Sequence, residues 1–293
     1  MLLMATVAQW IEGARLRTFP NAITPVLAGS GAAAGMDGFD PLIALLALVV
    51  SLSLIIGVNF ANDYSDGIRG TDDSRVGPFR LVGSRSAAPG AVRNAAFACF
   101  GIAALAGLGV VALSGQWWML AIGALCIAGA WFYTGGSKPY GYAGFGEVAV
   151  FLFFGLIAVL GTMFVQAGQV SGFGIGAAVG VGALSCAVLV ANNLRDIPSD
   201  QVSGKRTLAV MLGDRDTRTL YTALALVPFV ITVLIGLRNS WVLLGFLALP
   251  LLLTPLRAVV RGATGRYLIP AVRDTGFAML GWGTITGLAL AFG

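Results

Sequence analysis

Residues 41–66 read PLIALLALVVSLSLIIGVNFANDYSD, an apolar run that ends abruptly in asparagines and aspartates. From Pro41 to Val58 the run approaches the roughly 20 residues a helix needs to cross about 30 Å of hydrocarbon. It lacks the apolar and polar alternation of a membrane-barrel strand. A similar block recurs from Leu220 to Leu237, and the 293-residue chain is 57% hydrophobic and only 11% charged, against roughly 25% charged for a soluble domain. The fold class that follows is all-α and integral to the membrane; a soluble fold is excluded.

Extending the same reading along the chain gives about nine spanning segments, near 20–36, 41–62, 94–114, 117–134, 147–168, 172–193, 219–237, 240–256 and 274–292. They form one domain over 1–293. Residues 1–19 carry Glu12, Arg15 and Arg17 beside Trp10, Ile11 and Leu16, a mixture that predicts a helix lying in the interface rather than a cleaved signal peptide. With these segments every lysine and arginine except Arg238 falls on one side. Cytoplasmic loops accumulate such residues, so the N-terminus is expected inside and the C-terminus outside. Glycines such as Gly172, Gly174, Gly176, Gly180 and Gly182 read as close helix packing.

The chain has no histidine, and Cys99, Cys126 and Cys186 share no short spacing. Imidazole catalysis, haem ligation by histidine and most zinc sites are thereby removed, which leaves carboxylates with hard cations. Two stretches supply them: NFANDYSD at 59–66 and NNLRDIPSD at 192–200, each at the expected cytoplasmic end of a span. Residues three and four apart share a helix face, which groups Asn59 with Asp63, Asn62 with Asp66, and Asn192 with Asp196. Asp200 lies a turn further on, where Pro198 is able to bend or end the helix. Either cluster alone reads equally well as solvated charge or helix caps. Together, at the membrane boundary, they read as functional. Like charges about 4 Å apart repel by roughly 4 kcal/mol at an effective dielectric near 20, so something positive is expected between them. Oxygen ligands select a cation such as magnesium, which bridges protein carboxylates to phosphates.

Arg69, Arg80, Lys138, Lys205 and Arg206 lie near these clusters in sequence and are candidates for phosphate oxygens. Lys138 sits in YTGGSKPYGY at 133–142, whose glycines permit tight turns and whose tyrosines, Tyr133 among them, are hydrogen-bond donors.

In these stretches the chain resembles, over nearly its whole length, the UbiA superfamily of intramembrane aromatic prenyltransferases. The two aspartate-rich signatures of that superfamily are matched by Asn62 to Asp66 and by Asp196 to Asp200. The surroundings resemble the branch acting on 1,4-dihydroxy-2-naphthoate in menaquinone synthesis, through residues 15–20, 61–67, 76–80, 133–142, 192–196 and 204–208. In one departure, the aspartate that commonly follows four residues after the first signature is here Gly70, and the next acids are Asp72 and Asp73.

The resemblance implies transfer of a polyprenyl group from its diphosphate to the naphthoate with loss of carbon dioxide, giving a demethylmenaquinone. It implies Mg2+, two ions, with Asp63 and Asp66 on one and Asp196 and Asp200 on the other, while Asn59, Asn62 and Asn192 complete the ligand shells. A tail insoluble in water predicts an opening toward lipid. The expected location is a bacterial plasma membrane with the site at the cytoplasmic face; no nucleic-acid partner is expected. Two alternatives stand beside this reading: a relative acting on 4-hydroxybenzoate, and a cation or metabolite transporter, since intramembrane carboxylates also mark ion pathways.

Overall fold

A computed structural model describes residues 5–70 and 79–293. The short α1 (Val7–Ala14) is closed at its start by a reciprocal capping box between Thr6 and Gln9. Val7, Ile11 and Leu16 project outward around it, while Trp10 packs edge-on against Phe60 with ring centroids 5.5 Å apart. α2 (Pro20–Ala34) follows and is mostly buried within the bundle.

α3 (Pro41–Ile68) begins where the Asp40 carboxylate accepts the N–H groups of Leu42 and Ile43, with Pro41 in the first turn. It packs along α4 (Pro89–Ser114), which Gly115 ends in the left-handed conformation. α5 (Met119–Phe132) is shorter. Next comes one continuous helical rod, Gly146–Ala167, built from α6 (Gly146–Val150), a π-helical stretch Phe151–Ile157 and α7 (Ala158–Ala167).

α8 (Gly172–Val202) is the central helix, starting from a Ser171 cap and packed on α9 (Leu208–Gly236). Its helix runs through Pro198 to Val202 without ending there, because a proline so close to a helix end removes one backbone bond from a segment already largely formed. A 3₁₀ stretch Ser240–Ala248 leads into α10 (Leu249–Val260), and α11 (Ile269–Phe292) closes the bundle against α2 and α8. A Cβ added at Gly180 would lie 2.2 Å from the Trp282 ring, and one at Gly31 2.1 Å from the Gly287 carbonyl oxygen. Bare backbone at these two crossings lets the helices close around a core that includes Trp282, Leu184 and Val181.

Every expected span overlaps a helix. Among the described residues seven helices are long and apolar enough to cross a membrane. The remaining two, α2 with 15 residues and α5 with 14, reach only about 22 Å at roughly 1.5 Å per residue, short of the hydrocarbon thickness.

Candidate active site

α3 does not stop where its apolar run stops. It continues through Asn59–Asp66 to Ile68, and this regularity decides which side chains face inward. Asn59, Asn62 and Asp66, at i, i+3 and i+7, line a cavity of about 640 Å³. Asp63 sits round the helix from them and is not part of that wall. Its two oxygens accept the backbone N–H groups of Leu81 at 2.6 Å and Val82 at 3.1 Å, almost fully buried. Asp63 thus fixes the segment that carries Arg80, whose guanidinium reaches Asp66 at 3.3 Å. Asp66 also accepts from Lys205 Nζ at 3.3 Å and from the Tyr142 hydroxyl. Asn59 donates to the Ala14 carbonyl and the Thr18 hydroxyl, tying down the chain entry, and Asn62 accepts from the Thr134 hydroxyl at 2.7 Å.

The end of α8 divides in the same way. Asn192 and Asp200 belong to the cavity wall, and Asp196 does not. Asp196 is buried against its neighbour Arg195, which donates to it from Nε at 2.7 Å and Nη2 at 2.8 Å. Asn192 adds a longer contact to the same carboxylate at 3.4 Å. Lys205 joins the two helix ends: its backbone N–H donates to the Asp200 carbonyl at 2.9 Å while its ammonium meets Asp66. Of the four aspartates expected to act in adjacent pairs, one from each helix therefore faces the cavity. Among the described residues no group of three or more acidic side chains converges as a ready-made cation cage.

The basic residues separate by burial. Arg80 and Lys205 are buried and line the cavity. Lys138 and Arg206, expected as phosphate donors, are exposed and stand outside its wall; Arg206 contributes only a backbone bond to the Tyr142 carbonyl. Arg69 is exposed too, spending its guanidinium on the Thr134 and Gly136 carbonyls and lying 5.6 Å from the Tyr142 ring centre. Tyr133 lines the cavity. Asp72 and Asp73 lie outside the described residues.

Three further groups stand at this pole that the motifs did not single out by residue. Arg15 and Arg17 line the cavity; in sequence they look like interfacial anchors, and only the left-handed turn at Arg15, φ 58°, brings the chain back over the bundle. Tyr142 holds Asp66 and lies under Lys205, whose ammonium is 4.5 Å from its ring centre. Asn193 lines the wall from the residue next to Asn192.

Away from this polar pole the cavity is apolar, walled by Leu54, Val111, Ile127, Phe153 and their neighbours on α3, α4, α5 and the π-helical stretch. A second, largely apolar hollow of about 360 Å³, lined by Leu125, Phe132 and Leu152 among others, shares Gly129, Tyr140, Phe153 and Ile157 with the first. At Gly129 a Cβ would lie 2.6 Å from Phe153 Cζ, so the ring and the bare backbone together form the partition.

One polar pole of carboxylates, amides, arginines and a lysine, opening onto a long apolar chamber inside a membrane bundle, defines a protein that handles an amphiphile with an anionic head. The chain belongs to the UbiA prenyltransferase family, which it matches over residues 22–267. It is 59% identical to the 1,4-dihydroxy-2-naphthoate octaprenyltransferase of Mycobacterium tuberculosis, covering 99% of both chains. It is 38% identical to the enzyme of that name from Escherichia coli over 86% of this chain and 85% of that one. Among solved structures, a UbiA homolog from Archaeoglobus fulgidus bound to GPP and Mg2+ has the same fold, with a TM-score of 0.69, 12% identity and coverage of 97% of this chain and 99% of that one.

Proposed function

We propose that this protein transfers a polyprenyl group from a polyprenyl diphosphate to 1,4-dihydroxy-2-naphthoate, releasing carbon dioxide and diphosphate, in menaquinone biosynthesis. The observation that carries this reading is near-full-length identity of 59% to an enzyme of that name, joined to a cavity that is polar at one end and apolar along the rest.

The donor's tail is equally at home in lipid and in an apolar cavity, so the tail contributes little preference for the protein. Recognition must come from the diphosphate. Lys205, Arg80, Arg15 and Arg17 line the polar pole and provide the charge-assisted hydrogen bonds that phosphate oxygens take. Tyr133 and Tyr142 add neutral donors.

The donor set at this pole fits a hard divalent cation, because Asp66, Asp200, Asn59, Asn62 and Asn192 offer oxygen and neither sulfur nor imidazole lines the pole. Magnesium, two ions in this reading, supplies charge neutralisation to the leaving diphosphate when bound. Asp66 and Asp200 would hold it, since their residues form the wall; Asp63 and Asp196 hold the frame that aims them.

As the allylic carbon–oxygen bond breaks, Lys205 and Arg80 stabilise the charge that develops on diphosphate. The carbon end is caught by the electron-rich naphthoate ring, whose carboxylate departs as carbon dioxide. The partition at Gly129 and Phe153 is the path by which the tail reaches lipid. In the membrane, α2 and α5 complete nine spans, the N-terminus and the polar pole lie on the cytoplasmic side of a bacterial plasma membrane, and α1 rests in the interface.

Swapping the aromatic acceptor tests the reading. With one polyprenyl diphosphate and magnesium, purified protein is expected to prenylate dihydroxynaphthoate and leave 4-hydroxybenzoate unreacted; the reverse preference would refute the substrate while leaving the family intact.

A further inference from the structure

Behind the cavity wall lies a carboxyl group that diphosphate chemistry does not use. Glu147, in the first turn of α6, is buried at 8% exposure and is not among the wall residues. Its Oε1 accepts from Asn193 Nδ2 at 3.0 Å, while its Oε2 is buried with no hydrogen-bond partner. Its backbone carbonyl accepts from the Cys186 thiol at 3.1 Å. Cys186 and Asn193 are seven residues apart on α8, so two contacts on one helix face pin the start of α6. Packing alone gives no reason for an acid here, since a buried carboxyl with an unsatisfied oxygen costs stability that an apolar side chain would not.

What the acid does follows from hydrogen-bond inventory. The Asn193 amide donates to it through Nδ2, so the NH2 of that amide faces Glu147 and its carbonyl oxygen is turned the other way. Asn193 itself belongs to the cavity wall, so the group presented there is an acceptor. An acceptor repels an ionised diphosphate, which has no proton to give; it suits a ring hydroxyl.

We propose that Glu147 is a positioning residue for the aromatic acceptor: it locks the Asn193 amide so that its carbonyl oxygen receives a hydrogen bond from a hydroxyl of the substrate ring. This rests on the reading of the cavity as the site of both substrates. Asn193 thereby distinguishes the two ends of the site, favouring the hydroxylated ring and disfavouring the diphosphate at the same wall.

Glu147→Gln keeps the shape but lets the side chain donate as well as accept, so the Asn193 amide is free to turn either way. The expected result is a KM for dihydroxynaphthoate raised about 3- to 10-fold, the size of one neutral hydrogen bond, with the KM for polyprenyl diphosphate unchanged. Asn193→Leu, which removes the amide and leaves Glu147 in place, is expected to raise the same KM. The double variant is expected to be no worse than Asn193→Leu alone, because residues acting as a unit are non-additive. A dihydroxynaphthoate analogue with both hydroxyls methylated, tested as a competitive inhibitor, is expected to bind wild type and Asn193→Leu alike. Equal shifts in both substrates' KM values, an unmoved acceptor KM, or additive losses in the double variant would overturn the inference. Absence of any product from wild type would instead overturn the reading of the cavity.

Discussion

Asp63 accepts the backbone N–H of Leu81 at 2.6 Å, and by doing so turns its carboxylate out of the cavity that Asp66, less than one turn along the helix, helps to line. Two acids of one motif therefore have different work, one holding the segment that bears Arg80 and the other meeting its guanidinium at 3.3 Å.

Substitutions at these two positions are expected to separate. Asp63→Asn places an NH2 against backbone N–H groups and loses charged hydrogen bonds worth about 1.5–3 kcal/mol each. It is expected to lower the melting temperature of the purified protein and to retain measurable turnover. Asp66→Asn removes a carboxylate from the polar pole and is expected to reduce kcat by about 100-fold or more. Equal kinetic loss at both positions would place Asp63 in the chemistry.

Lys205 and Lys138 form a second contrast. Lys205 is buried at the pole with its ammonium 3.3 Å from Asp66, whereas Lys138 is exposed outside the cavity wall. Lys205→Met is expected to cost about 100-fold in kcat/KM for the diphosphate substrate. Lys138→Ala is expected to stay within about twofold of wild type, as surface substitutions generally do. Steady-state kinetics with varied diphosphate check both.

Gly129→Val tests the tail path. The added side chain meets the Phe153 ring at the partition between the two hollows, and overpacking of this kind typically costs about 1–3 kcal/mol. The KM for a long-chain donor is expected to rise about tenfold or more, with a donor of a single isoprene unit least affected. A donor series of increasing length gives the comparison; uniform loss at all lengths would move the path elsewhere.

The fold was largely legible because apolar blocks at membrane length admit few alternatives, and α3, α4, α8, α9 and α11 all lie over stretches whose hydropathy alone announces them. α5 was harder to read: its 14 residues continue in sequence into Tyr133 and Thr134, where the helix ends and the polar loop begins. The aspartate motifs mark the polar end of the cavity but not which of their side chains line it. Helical spacing groups Asp63 with Asn59, and it cannot reveal that Leu81 and Val82 present their N–H groups to one side of that face. Nor does sequence position distinguish Arg195, folded back onto Asp196, from a phosphate ligand. Lys138 looked favourable from its glycine- and tyrosine-rich loop, yet it is Tyr133, Tyr140 and Tyr142 of that loop that face the cavity. Glu147 and Asn193 meet across 46 residues, a pairing set by how α6 docks on α8 and by no local pattern.

The decisive experiment is turnover by purified protein in detergent with a polyprenyl diphosphate, magnesium and 1,4-dihydroxy-2-naphthoate, with products identified by mass. A prenylated naphthoquinol lighter by one carbon dioxide than the simple adduct is expected, lost on chelation, restored by added magnesium and nearly absent in Asp66→Asn. Product formation that is indifferent to chelation, or a well-folded protein that makes none, would refute the proposed reaction.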